Sequence, residues 1–161
     1  MRRAVGDDRG DSMVEFAIAT LIMLTAIFGI MDCSRALFVY HFVSYASEEG
    51  TRYAVVRGSE FSGTSCSTVS TYSCDATSTN IQSFVRNFSP PGVPSTSVTV
   101  TTTWPGTEPN GTNPGSTCST TASIDGCLIK VQVSVPFQFV LSFLPHTAMT
   151  FSATSEAVVE Q

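Results

Sequence analysis

Residues 9–31 read RGDSMVEFAIATLIMLTAIFGIM, and this stretch decides the fold of the N-terminal third of the chain. Its last sixteen residues, 16–31, carry no charge. As a helix they cover about 24 Å at about 1.5 Å per residue, so a bilayer core of about 30 Å also requires the residues just before them. The stretch therefore predicts a membrane helix over residues 13–31.

The positive charges around this segment predict its orientation. Arg2, Arg3 and Arg9 precede the apolar run, whereas Arg35 is the only cation that follows closely. Because positive flanks stay in the cytoplasm, we expect a single-pass membrane protein with its N-terminus in the cytoplasm and its C-terminal domain outside.

Three common kinds of N-terminal segment fit the sequence incompletely. A cleaved secretory signal should end in small residues, which GIMDCSRALF at 29–38 does not offer. A lipoprotein site would use Cys33, but the acidic Asp32 stands where a small residue is required. A signal anchor fits the hydropathy and leaves Glu15 unexplained. A carboxylate in a membrane helix costs about 2.5–3.5 kcal/mol and calls for a partner or a function, unless Glu15 reaches the headgroups.

The spacing around Glu15 resembles a known processing site. Gly10, four residues, then Glu15 and Phe16 resemble the type IV prepilin pattern of a basic leader, a glycine at the cut and a glutamate five residues into the mature chain. The longer stretch 10–58 resembles the TadE-like family of tight-adherence pilus assembly proteins. The residues that carry this likeness are the helix, Arg35-Ala36, Tyr40 and EEGTRYAVVRG at 48–58, with VQVSVPFQF at 131–139 and MTFSATSEAVVEQ at 149–161 similar to the family's closing strands.

The resemblance implies a function. A prepilin peptidase would cut after Gly10, because a residue without a side chain lets extended backbone enter a tight protease site. The new ammonium on Asp11 and the carboxylate of Glu15 would then fix subunit register, with Phe16 beginning the apolar helix. The implied role is a minor pilin or pseudopilin supporting pilus assembly and surface adhesion, with the membrane, other pilins and pseudopilins and the inner-membrane assembly platform as partners. The alternative is a signal-anchored envelope protein whose exposed domain binds a partner outside any filament.

The local patterns along the chain together predict an α+β fold, with a long N-terminal helix and a small domain of one short helix and a three-stranded antiparallel sheet. The segments are a leader at 1–10, a helix at 11–58 with an apolar membrane part at 13–31 and an amphipathic part at 32–58, and an extracytoplasmic domain at 59–161. We expect one helix from about Ser12 to about Arg57.

Several details of the amphipathic half are also predicted. Six apolar residues fall near helical spacing: Leu37, Phe38, Phe42, Val43, Tyr45 and Ala46. The aromatic ones are expected to pack on the protein's own C-terminal domain, with a separate partner groove as the alternative. Asp32 with Arg35, and Glu48 with Arg52, are spaced to support an exposed helix. Gly50 is expected to weaken the helix, and Cys33 to be a small buried residue.

The outer domain shows clear local patterns. Ile81, Phe84, Val85 and Phe88 have the spacing of a short amphipathic helix. Alternating residues predict strands at about 97–104, in CLIKVQVSVPF at 127–137, and at about 149–159. The apolar FQFVLSFLPH at 137–146 is expected to be buried in the core, with a membrane-facing or inter-subunit connection as the alternative.

Four cysteines follow the apolar segment: Cys66, Cys74, Cys118 and Cys127. Their number in so short a chain predicts disulfides in an oxidising compartment, with free buried thiols as the alternative; their pairing stays open. Neither close pair has the gap of a zinc knuckle, and neither histidine lies beside them, so we expect no metal site.

The charge and motif content argues against other functions. The net charge is −5 with only eight Lys and Arg, so we expect no nucleic-acid partner. The two histidines lie far apart, and no phosphate-binding loop or paired carboxylates stand out. The sequence predicts neither an enzyme nor a cofactor; the chain is better interpreted as the substrate of an enzyme.

Overall fold

The computed structural model describes residues 8–58, 76–105, 118, 124, 126–141 and 149–160, with side chains from Gly10 onward. The elements in chain order are α1 (Asp8–Val55), α2 (Ser78–Asn87), a 3-10 turn (Ser95–Ser97), β1 (Thr99–Thr103), β2 (Leu128–Phe137) and β3 (Met149–Val158). The predicted α+β class is confirmed: a long apolar N-terminal helix, one short helix and a three-stranded antiparallel sheet.

Helix α1 runs unbroken for 48 residues, a length of about 72 Å. It begins at Asp8, four residues before the expected start at Ser12, and it ends at Val55, two residues before Arg57. An acidic side chain near a helix N-terminus is favoured by the helix dipole, so Asp11 suits an early start. Only the second half of the helix, from Asp32 onward, supplies residues to the buried core.

Strand β2 is the centre of the sheet, between β1 and β3, and both pairings are antiparallel. Thr101 lies opposite Gln132, which lies opposite Thr154. The predicted alternation along β2 is confirmed, because side chains at every second position face the core and are buried: Ile129, Val131, Val133 and Val135.

The core lies between the inner face of the sheet, the second half of α1 and helix α2. Gly50 occupies its tightest point. A Cβ atom there would lie 3.0 Å from Val85 Cγ2 and 3.2 Å from Val131 Cγ1. The expectation that Gly50 weakens the helix therefore misses its role, since the missing side chain lets α2 and β2 approach α1 closely.

Helix α2 begins at a capped N-terminus, where the Thr77 hydroxyl accepts a hydrogen bond from the Asn80 amide at 3.2 Å. Ile81 and Val85 of the predicted apolar face are fully buried, whereas Phe84 and Phe88 are partly buried beside the core. The spacing predicted this helix and its buried face correctly.

Backbone hydrogen bonds close the outer end of the domain. The Ala76 amide donates to the Arg57 carbonyl at 2.8 Å, and the Glu160 amide donates to the Val55 carbonyl at 3.1 Å. The end of α1 is thus fixed to the chain that enters α2 and to the chain that leaves β3.

Some predicted details of the amphipathic half are wrong. Arg52 pairs with Glu49 at 3.3 Å, not with Glu48. Cys33 is exposed and not buried, because its side chain lies on the surface of α1 beside the buried Asp32.

Only half of the six apolar residues with helical spacing are buried, and of the aromatic ones only Phe42 is buried as predicted. Phe42, Val43 and Ala46 are buried, but three others are exposed: Leu37, Phe38 and Tyr45. The sheet covers only one side of α1, and the apolar residues of this helix extend over a wider arc than the sheet occupies.

Candidate functional site

The four residues of the predicted processing and assembly site lie in the first turns of α1. Gly10, Asp11, Glu15 and Phe16 are all helical and all exposed. A Cβ atom on Gly10 would have no neighbour within 4 Å, and Gly10 has no positive φ. The folded subunit therefore has no steric need for glycine at this position.

Glu15 is the one charged residue between 13 and 31. Among the described residues, none forms a hydrogen bond or ion pair with its carboxylate. The hydroxyls of the same segment are satisfied within the helix, since Thr20 donates to the Phe16 carbonyl and Thr25 to the Leu21 carbonyl, each at 2.8 Å. Glu15 is thus the polar group of the apolar segment that lacks an internal partner.

The apolar segment around Glu15 is exposed along its whole length. Among the described residues, one helix is long and apolar enough to cross a membrane, and its most apolar window contributes nothing to the core. Met13, Phe16 and Ile18 all have more than half of their surface exposed. This single N-terminal helix is compatible with membrane anchoring.

A second carboxylate, Asp32, lies at the other end of the segment and is buried, with 3% of its surface exposed. Its Oδ2 accepts hydrogen bonds from the amides of Val140, at 2.8 Å, and Leu141, at 3.1 Å. Its Oδ1 accepts one from Arg35 Nη1 at 2.9 Å. The carboxylate therefore ties the chain just after β2 to the helix at the end of its apolar segment.

Opposing effects act on the pKa of Asp32. Burial by itself would raise the pKa, because desolvation disfavours the charged carboxylate. The amide hydrogen bonds from Leu141 and Val140, together with the hydrogen bond and positive charge of Arg35, outweigh burial and hold the pKa of Asp32 below its ordinary value. Asp32 is accordingly ionised at neutral pH, as an acceptor of three hydrogen bonds must be.

The sequence analysis did not predict this arrangement, and the fold corrects the role it gave to Asp32. Asp32 and Arg35 do pair, but Asp32 does not support an exposed helix: it is buried and bridges to residues more than a hundred positions away. Arg35 also lies over the Phe137 ring, with Cζ 5.6 Å from its centroid. The one signal in the sequence was an acidic residue placed directly after a long apolar run.

An aromatic groove lies between α2 and the second half of α1. Its cavity volume is about 520 Å³, and its lining includes Phe38, Phe42, Tyr45, Phe84 and Phe88, with His41 and Glu49 at polar positions. Tyr45 and Phe88 meet edge to face with their centroids 6.1 Å apart. The groove leaves apolar side chains accessible that sequence analysis assigned to the core.

The predicted disulfide residues are only partly described. Cys118 and Cys127 form a disulfide with a Cα–Cα distance of 5.6 Å, and it joins the start of β2 to the preceding loop. Cys66 and Cys74 lie outside the described residues. Within the described part of the chain, no group of three or more His, Cys, Asp and Glu residues is placed to hold a metal ion.

Comparison with known proteins identifies the segment that carries both carboxylates. Residues 10–52 match the family model described as TadE-like protein. The resemblance expected from the sequence is thereby confirmed for this TadE-like segment, and it indicates involvement in tight-adherence pilus assembly and association with components of that pilus system. No curated protein and no solved structure matches the chain.

The TadE-like segment, residues 10–52, lies entirely within α1. It begins at Gly10 and includes Glu15, Asp32 and Arg35, and it ends three residues before the end of the helix. The likeness predicted for the closing strands at 131–139 and 149–161 lies outside the match and stays a prediction.

Proposed function

We propose that the chain is a minor pilin or pseudopilin of a tight-adherence pilus, processed by a prepilin peptidase after Gly10. The observation that carries this proposal is Glu15, an ionisable side chain that lies on an exposed apolar helix and has no partner among the residues the structure describes. A carboxylate placed there at a cost of about 2.5–3.5 kcal/mol needs a partner from outside the subunit. The TadE-like match over the same helix supports a pilus system as the source of that partner.

Gly10 supports the cleavage step. Since the folded subunit gives no steric reason for glycine there, the absence of a side chain suits an external requirement, namely entry into a protease site. Cutting would require the first turn of α1 to unwind, because Gly10 is helical in the uncut chain. The first turn of a helix is its least stable part, so this step costs little.

Cleavage would create the partner that Glu15 lacks. It exposes an ammonium on Asp11, four residues before Glu15 in the same chain. When processed helices pack together, the ammonium of one subunit can reach the Glu15 carboxylate of the next. In an apolar bundle these opposite charges attract strongly, and their pairing selects one register over others.

The remaining parts of the chain take simple roles in this proposal. Residues 13–31 span the cytoplasmic membrane with the N-terminus inside, as the positive residues Arg2, Arg3 and Arg9 favour. The sheet domain stays outside and becomes part of the pilus surface, where it supports assembly and adhesion. The chain acts as a substrate of the peptidase and a partner of other pilins and the assembly platform, and not as an enzyme.

The intact mass of the protein tests the cleavage. In cells with an active prepilin peptidase, we expect the membrane-extracted protein to lack residues 1–10. A matched Gly10→Val variant should keep them, because a branched side chain blocks the protease site, whereas a Cβ atom at this position meets no described atom within 4 Å. An uncut wild-type chain in such cells would contradict the proposal.

A second candidate function rests on the aromatic groove between α1 and α2. Its exposed rings suit an anchored envelope protein that binds a partner and stays out of any filament. A photo-crosslinking residue in place of Leu24 separates the two functions. Crosslinks to other pilin helices favour the pilin, whereas crosslinks to lipid alone favour the anchored binding protein.

A further inference from the structure

The chain just after β2 exposes an apolar side chain without an evident reason within the subunit. Val140 has 71% of its surface exposed. Three large apolar residues that follow α1 are exposed in the described part of the chain, and Val140 is the most exposed of them, ahead of Val56 at 48% and Met149 at 39%. The neighbouring Phe137 and Phe139 pack in or beside the core, whereas the side chain of Val140 lies on the surface.

Asp32 fixes the turn at Val140 and Leu141 against the membrane helix. The two amide hydrogen bonds from Val140 and Leu141 to Asp32 Oδ2 hold the turn directly beside the last residues of the apolar segment. Both donors are backbone groups, so the position of the turn is set by the main chain and does not depend on the rotamer of Val140.

The exposed surface of this turn is continuous with the apolar segment. Val140 and Leu141 line a cavity of about 230 Å³ together with Phe28 and Met31, which lie within the last turn of that segment. Phe28 and Met31 are themselves half exposed or more. Side chains of the domain and of the membrane helix thus form one apolar surface across the end of the apolar run.

The charged residues that line this cavity, Asp32 and Arg35, are compatible with a lipid surface. Arg35 lines the same cavity, and its positive charge is offset by Asp32 at 2.9 Å. Its guanidinium has further N–H groups for phosphate oxygens, and arginine at the end of a membrane helix extends toward the headgroups. The Asp32–Arg35 pair therefore places no unpaired charge beside these exposed apolar side chains.

We propose that residues 138–141, here called the membrane corner, are a second membrane contact that inserts Val140 among the lipids of the outer leaflet. The proposal rests on the membrane insertion of α1 proposed above. With two contacts, the helix and the corner, the domain has a fixed tilt against the bilayer and cannot rotate freely about the helix. Extraction of the subunit into a filament must then release both contacts.

Depth-dependent quenching tests the membrane corner. The full chain carrying Cys33→Ser, with a polarity-sensitive fluorophore attached to Val140→Cys, is placed in vesicles of phosphatidylcholine and phosphatidylglycerol that contain nitroxide-labelled lipids. Matched probes are attached at Thr154→Cys, on the outer face of the sheet, and at Leu24→Cys, within the apolar segment. The Cys33→Ser chain without an added cysteine gives the background labelling.

We expect at least roughly twofold stronger quenching at position 140 than at 154, greatest with shallow nitroxides, because interfacial apolar groups lie about 5–10 Å into the headgroup and acyl boundary. Quenching at 24 with none at 140 would overturn the membrane corner and leave the membrane helix intact. Absence of quenching at both positions would instead contradict the membrane insertion itself. A blue-shifted probe at 140 that nitroxide lipids do not quench would place protein over the corner and would also overturn the proposal.

Discussion

Glu15 and Asp32 are carboxylates at opposite ends of the apolar segment, and the fold treats them in opposite ways. Asp32 accepts three hydrogen bonds and is buried, whereas Glu15 is exposed and has no partner among the described residues. A satisfied buried carboxylate is explained by the structure of the subunit. The carboxylate of Glu15 has no such explanation within the described residues, and it is therefore the better candidate for assembly.

The hydrogen bonds of Asp32 predict a pH-dependent stability. Since its pKa is lowered in the folded state, its carboxylate stabilises the fold fully above the unfolded pKa of about 4, and that contribution is lost as pH falls through the folded value. We expect Asp32→Asn to lower the unfolding temperature of the full chain in detergent micelles at pH 7. The difference from wild type should shrink below about pH 4, as the wild-type carboxyl becomes neutral.

The control for this experiment is Glu48→Gln. Glu48 is exposed on the same helix, and removing its charge should leave the unfolding temperature close to wild type at every pH. Equal pH profiles for wild type and Asp32→Asn would show that the carboxylate does not hold the turn after β2.

At the scale of elements, α1 consists of two halves that meet different surroundings. The half before Asp32 exposes its apolar side chains, and the half after it packs on the sheet and on α2. The packed half depends on close approach at Gly50, where a Cβ atom would crowd the methyl groups of Val85 and Val131 at 3.0 and 3.2 Å.

Gly50→Ala tests this close approach. Overpacking typically costs about 1–3 kcal/mol, and the better helix propensity of alanine returns up to about 1 kcal/mol, so we expect a net loss of about 1 kcal/mol in the free energy of unfolding. The unfolding temperature should fall by about 4–8 °C. Gly29→Ala is the matched control, because a Cβ there has no neighbour within 4 Å. A loss of stability in the control, or none at Gly50, would contradict the packing argument.

At the scale of the whole molecule, the first half of α1 is a lipid-compatible helix and the second half belongs to the folded domain. Asp32 lies where the two halves meet, and its hydrogen bonds connect the domain to that point of the helix. The TadE-like match covers the shared helix and not the sheet. The helix is therefore the part that indicates the pilus system, and the sheet domain lies outside the matched residues.

Assembly itself is tested by Glu15→Gln. Removing one partner of a buried ion pair typically costs about 3–5 kcal/mol, so incorporation of the variant into pili should fall by roughly a hundredfold or more, while cleavage after Gly10 continues. Immunogold counts on pili and the intact mass of the membrane-extracted protein measure the two effects separately. Glu48→Gln, outside the apolar segment, should be incorporated normally. Normal incorporation of Glu15→Gln would exclude the assembly role.

The local patterns of the sequence determined most of the secondary structure. The uncharged run at 16–31, the spacing of Ile81 and Val85 and the alternation along β2 each predicted an element that the structure contains. These predictions succeeded because helix and strand periods are properties of neighbouring residues. The placement of Glu15 within the apolar run was likewise visible in the sequence alone.

Only the tertiary structure decided which side chains meet. Asp32 finds its amide donors more than a hundred residues away, Gly50 faces two valines from other elements, and Cys33 is exposed although a helix period alone allowed burial. No local pattern encodes such pairs, because they depend on which arc of α1 the sheet covers. That arc is fixed by the packing of the whole domain. It leaves Phe38 and Tyr45 exposed on α1, and the chain after β2 leaves Val140 exposed.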